Sequence, residues 1–204
     1  MGSRLSGTGY FYPLFMVCIF LFRMVDAHAG IIDPKPMVVG KTFTSTCGVR
    51  ASGIIKRSPF INQEAWKVTS PQCLQRRCQG LFVEDQNLQN IAKFISGQDI
   101  PVTIQVQVPH GGIAKLLLMD MTAQRPVQSE GSDLVLKDLG RNFGVPAQRR
   151  IQKFIVRITS EQADACQKSG GTCAIAVSQD FQANSARDFI HFFFRYFLLN
   201  PPSD

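Results

Sequence analysis

Histidine is scarce in this sequence, with three in 204 residues, and tryptophan occurs once. Tyr196 is the only tyrosine beyond residue 27, so a broad aromatic platform for a flat crystalline polymer is not evident. There is no arginine-rich tract, no recognised nucleic-acid motif and no zinc-finger cysteine spacing. The formal charge of +7 therefore does not imply DNA binding. Its ordinary reading is a diffuse basic surface, with attraction to acidic glycans as a second. No repeat, low-complexity segment or linker divides the chain. After the first 25 residues no apolar stretch is long enough to span a bilayer.

What is present begins with a leader. Arg4 precedes the apolar run FYPLFMVCIFLF at 11–22, and Val25 and Ala27 fill the −3 and −1 positions of a cut before His28. At 12 residues the run is short of the roughly 20 that a transmembrane helix needs, so residues 1–27 read as a signal peptide. Ala27-His28-Ala29 is itself an A-x-A, and a cut after Ala29 would discard His28. Both cuts satisfy the leader rules. Residues 28–204 are enough for one domain with its own core. Losing Arg4, Arg23 and Asp26 with the leader lowers the charge from +7 to +6.

Cysteine usage agrees with export. Cys18 leaves with the leader, and Cys47, Cys73, Cys78, Cys166 and Cys173 remain. Disulfides are the natural reading, and an odd count leaves one thiol over. Cys166–Cys173 closes a short loop between a helix and a strand, and a second bridge is expected among the others.

The chain reads as mainly β. VTIQVQV (102–108) alternates Val102, Ile104, Val106 and Val108 with polar residues, the pattern of a half-buried strand. IAKLLLMDM (113–121), IQKFIVRI (151–158), CAIAVSQDF (173–181) and RDFIHFFFRYFLL (187–199) read as further strands. DQNLQNIAKFI (85–95) has helical spacing at Leu88, Ile91, Ala92 and Ile95, and SEQADACQK (160–168) reads as a helix capped by Ser160. The remainder reads as loop. An immunoglobulin-like or fibronectin-like β-sandwich with short helices in its loops fits this order.

His28 and His110 form the constellation that carries chemistry. A histidine at a mature N-terminus offers its α-amine and its ring nitrogen together. His110 sits in VQVPHGGIAK, in a turn between two strands, a rigidly held place for a ligand. On its own it is an ordinary polar turn residue; paired with a terminal His28 it completes three nitrogen donors, a set that suits Cu(II).

HAGIIDPKP at the mature start, CGVRASG soon after and PHGGIAKLLLMD mid-chain resemble, in order and spacing, the lytic polysaccharide monooxygenases. The resemblance implies a secreted, extracellular, monomeric copper protein without a stable membrane anchor. Its single copper ion would be held by the amine and ring of His28 and by a ring nitrogen of His110. It would cleave glycosidic bonds of a polysaccharide oxidatively, drawing on an external electron donor and on O2 or H2O2. The family also places a Tyr or Phe at the copper's axial face on a late strand. Phe189 is the first candidate for that place and Phe181 the second. Arg187 and Gln179, two residues before each, would be the polar neighbours. Phe192 stands where many members carry a cysteine, which would account for the unpaired thiol.

His191 shares a strand face with Phe189 and reads as a packed or surface residue. Trp66, near Arg50, Lys56, Arg57 and Lys67 in sequence, is either a sugar-contacting residue or the anchor of a long loop. Two other functions remain open at this point: a histidine-brace copper-binding or copper-transfer protein without oxidation, and a metal-free carbohydrate-binding sandwich. The two leader cuts give an immediate test. Intact mass of the secreted protein should correspond to a chain starting at His28; a start at Gly30 would remove the terminal donor and the copper reading with it.

Overall fold

The computed structural model describes residues 28–60, 68, 70–74, 81–86, 91–109, 111–169, 171–180, 190–192 and 196–200. Side chains are described throughout these except at His28, Leu74, Ala92, Lys93, Val108, Asp180 and residues 190–200. The leader, Cys18 and Cys78 lie outside them.

Alternation along 102–108 does produce a strand, β3 (Asp99–Val108), which sits between β1 (His28–Asp33) and β9 (Ile151–Arg157) in an antiparallel three-stranded sheet. Ile100, Val102, Ile104 and Val106 of β3 point inward with Ala29, Ile31 and Val156. They meet a second sheet built on β4 (Gly112–Asp120) and β10 (Cys173–Asp180), whose Ala114, Leu116, Leu118, Ile175 and Val177 face them. In this second sheet the order is β2 (Ile91–Ile95), β12 (Tyr196–Asn200), β10, β4, β5 (Arg125–Pro126). β11 (Ile190–Phe192) also pairs with β10, and β8 (Val135–Phe143) with β4. A two-stranded ribbon, β6 (Gln128–Ser129) and β7 (Ser132–Asp133), completes the strands among the described residues. The molecule is thus a mainly β protein with a sandwich core.

The run LLLMD in β4 shows no polar alternation because both faces of the strand are covered. Leu117 and Met119, with Ala174 and Ala176 of β10, face a second apolar cluster away from the sandwich core. That cluster is closed by α1 (Lys41–Arg57), which buries Phe43, Cys47, Ala51 and Ile55 at four-residue intervals. The Phe43 and Phe82 rings meet edge to face at 6.4 Å. From sequence α1 reads as loop, because Thr42, Thr44, Thr46 and two glycines lower its helical propensity, and Gly48 breaks it at φ +90°. Two disulfides lock this arrangement. Cys47–Cys73 ties α1 to α2 (Pro71–Leu74), and Cys166–Cys173 ties α3 (Ser160–Lys168) to the start of β10, as expected.

Three further expectations are corrected. The described residues of 85–95 are not α-helical. Val83–Asp85 form a single 3-10 turn, and Ile91–Ile95 are β2, paired in parallel with β12. The β-branched and aromatic content of IAKFI suits a strand, and a free sheet edge supplies its hydrogen bonds. The cap of α3 is Thr159, not Ser160, because Gln162 stands at the third helical position. Thr159 Oγ1 accepts from Gln162 N–H at 3.2 Å, and Thr159 N–H donates to Gln162 Oε1 at 3.0 Å, a reciprocal box. The final aromatic stretch is two strands, β11 and β12, rather than one. β8 was missed because repeated register shifts against β4, with Gly140 at φ +89°, erase its alternation.

The N-terminus of α1 has no cap of its own. Asp85, 42 residues away along the chain, supplies one: its two carboxylate oxygens accept from Thr42 N–H and Phe43 N–H, each at 2.8 Å. Gln86 beside it accepts from Val38 N–H and donates to the carbonyls of Val38 and Phe82. Removing the carboxylate leaves two part-buried donors unsatisfied at the positive end of a helix dipole. Asp85→Ala should therefore lower stability by about 1–2 kcal/mol, with Asp85→Asn losing less, as read from thermal and denaturant unfolding. Equal stability of Asp85→Ala and wild type would show that this cap contributes nothing.

Candidate functional site

Antiparallel pairing decides which chain ends meet. β1 enters where β3 leaves, and His28 is paired through its backbone with Val108, two residues before His110 in the chain. β4 starts after Gly111, so His110 belongs to the short connection that carries the chain from one sheet to the other. β10 runs antiparallel to β4, and its last residues pair there too: Asp180 with Ile113 and Gln179 with Ala114. β11 begins at the same end, with Ile190 opposite Gln179 and His191 opposite Ser178. The start of β1, the end of β3, the start of β4, the end of β10 and the start of β11 therefore share one end of the sandwich.

His28 and His191 are placed there by backbone pairing; their side chains lie outside the described residues. His110, Phe181, Arg187, Phe189 and Trp66 lie wholly outside them. Gln179 is described: it is buried at 1% exposure, and its Nε2 donates to the Phe143 carbonyl at 3.4 Å, across β4. This bond joins β10 to β8 beneath the end where the histidines fall in sequence. No group of three or more His, Cys, Asp or Glu able to hold a metal occurs among the described residues. A set of two histidines and a terminal amine is of a different kind from such a cluster.

Two contacts that sequence reasoning missed hold this end in shape. Gly30, two residues after His28, lies against the buried Phe60 ring, so close that a β-carbon there would collide with it. The glycine of H-x-G thus has a packing reason of its own. Gly111, beside His110, lies under Val145, whose Cγ1 would be 2.9 Å from an added β-carbon. Val145 belongs to the loop between β8 and β9. Gln148 in that loop accepts from Gly144 N–H at 2.8 Å and from Gln152 Nε2 at 3.0 Å. The sequence signal for both contacts was the glycines themselves, but a glycine does not announce which neighbour crowds it.

No protein-family model matches this sequence, and no curated protein matches it. Among solved structures the chain is similar to a polysaccharide monooxygenase described as CBM33, at 11% identity. The match covers 85% of this chain and 99% of that one, with a TM-score of 0.38. The functional reading rests on this chain's own residues.

A methyl group at residue 30 must displace Phe60 or shift β1. Gly30→Ala should cost about 1–3 kcal/mol, the usual range for overpacking a filled site. In a Phe60→Ala background the same substitution should cost much less, giving a favourable coupling in the double-mutant cycle. Additive effects would mean that the two residues are not in contact.

Proposed function

We propose that this protein is an extracellular copper protein of the histidine-brace type that cleaves a polysaccharide oxidatively, its mature chain a single sandwich domain beginning at His28. One observation carries the reading: the backbone pairing of His28 with Val108, which sets the expected N-terminus beside the strand leading into the P-H-G-G turn. The donor set fits copper. A terminal amine and two imidazoles are three neutral nitrogen ligands, a set that suits Cu(II). His28 would supply the amine and one ring nitrogen, and His110 the other. When bound, copper would supply redox chemistry, taking an electron from an external donor and activating O2 or H2O2.

The protein's own part is positional. β1 is held on one side by β3 and through Gly30 by Phe60, so the frame that presents His28 is rigid. Gly111, the next residue in the chain after His110, packs under Val145. Buried Gln179 ties β10 to β8 and supports this end from below. Phe189, with Phe181 as the alternative, would shield the metal from water. Arg187 or Gln179 would be its polar neighbour. Trp66 would contact sugar.

Two disulfides accord with secretion. A brace protein that only carries copper would share this geometry, and turnover on a polysaccharide separates the two.

Cu(II) titration followed by spin-resonance spectroscopy tests the ligands. His110→Ala should weaken copper binding beyond the roughly 10–100-fold typical of disturbing a ligand's supporting partner. One extra residue before His28 should be as damaging, because the amine would leave the ring. His191→Ala should bind as wild type does. Tight binding by the His110 variant, or failure of the His191 variant alone, would rule out this brace.

A further inference from the structure

Residues 139–160 carry Arg141, Arg149, Arg150, Lys153 and Arg157 and no Asp or Glu. All five cations are exposed. Arg157, at the far end of β9, is bound to Asp99 with Nε–Oδ1 at 2.7 Å, the one ion pair among the described residues. Arg149, Arg150 and Lys153 have no such partner there.

Their position is set by sheet pairing. The Arg150 carbonyl accepts from Val106 N–H at 2.7 Å, Ile151 pairs with Gln105, and Val106 and Gln105 pair on their other side with Ala29 and Gly30. The three cations thus stand at the histidine end, two strands from β1, or about 10 Å. Gln148, Arg149, Ile151, Gln152 and Lys153 line an open groove at this edge. Ile151 and Ile155, 50% and 54% exposed, flank Lys153 on the same strand face.

Cations on an edge strand also serve to discourage pairing with another chain. That purpose explains the charges but not the isoleucines, which work against it. A second copy of the chain is a poor occupant, because a two-fold contact here would bring like charges together. A neutral polymer would gain nothing from three desolvated cations. We propose that this edge binds an anionic polysaccharide of the uronate type, which makes a carboxylated polymer the substrate class of the histidine end; this rests on the oxidative reading above. Guanidinium groups match carboxylates in fork geometry, and the isoleucines present apolar surface to the C–H faces of the sugar rings. Arg149 to Lys153 spans about 13 Å of strand, a density that suits one charge per sugar rather than several.

Binding is measured by calorimetry with polygalacturonate, its fully methyl-esterified form, heparin and chitin, on copper-free and copper-loaded protein. Both protein forms should bind polygalacturonate, more weakly as salt rises, and should not bind the ester or chitin comparably. The triple variant Arg149→Gln, Arg150→Gln, Lys153→Gln should lose about tenfold or more in affinity while keeping its melting temperature and Cu(II) binding. Equal affinity for the ester, tighter binding of heparin at the same salt, or an unaffected triple variant would overturn the proposal. So would a dimer in sedimentation that Ile151→Ser with Ile155→Ser dissolves. Protein that holds copper but no polyuronate sinks this inference alone. Protein that binds polyuronate but no copper sinks the brace and leaves the edge standing.

Discussion

The pairing of β4 with β10 is the constraint on which the rest of the molecule depends. All eight residues of β10 are matched with β4, from Cys173 opposite Asp120 to Asp180 opposite Ile113. Both faces of the pair are buried, one against β1, β3 and β9, the other against α1. A one-residue slip would exchange Leu116 and Leu118 with Leu117 and Met119, and would set Ala174 and Ala176 against the wrong layer. The small alanines on the helical side leave room for Phe43, while the larger Ile175 and Val177 fill the sandwich. Register is therefore specified twice, once by each layer.

That register also determines what gathers at each end. The far end of β4 closes on itself: buried Asp120 accepts from the N–H groups of Thr122 and Ala123 at 2.8 and 2.9 Å, turning the chain toward β5. The near end collects the start of β1, the crossing at Gly111 and the last residues of β10. Chemistry can be concentrated there because the sheet pairings bring distant parts of the chain together. The basic start of β9 is drawn to the same end by its pairing with β3.

Much of the fold was legible in the sequence, for reasons that individual residues make plain. The period-two alternation of Val102, Ile104 and Val106 marked β3, and a short cysteine spacing marked Cys166–Cys173. α1 was not legible, because its cap, Asp85, is remote in the chain and its glycines and threonines argue locally for a loop. β2 was misread because Ile91 and Ile95 satisfy helical spacing as well as a strand, and only pairing with β12 decides between them. Of the candidate site, the two histidines stood out by scarcity, and backbone pairing sets His28 beside the strand leading to His110. The packing at their neighbours in the chain, Phe60 on Gly30 and Val145 on Gly111, could not be read, since close approach is a property of the folded chain alone.

β1 is an edge strand whose partner, β3, lies far along the chain. Joining His28 to Val108 closes a loop of about 80 residues, and since such closure costs grow only logarithmically, the Cys47–Cys73 bridge inside it eases the cost by a few tenths of a kcal/mol at most. Neither bridge spans β1 and β3 directly. The N-terminal strand is thus secured by sheet hydrogen bonds and apolar contacts that survive reduction. Reducing agents would act on the helical layer and on the α3–β10 junction, and would reach β1 only through Phe60, which packs in the helical layer.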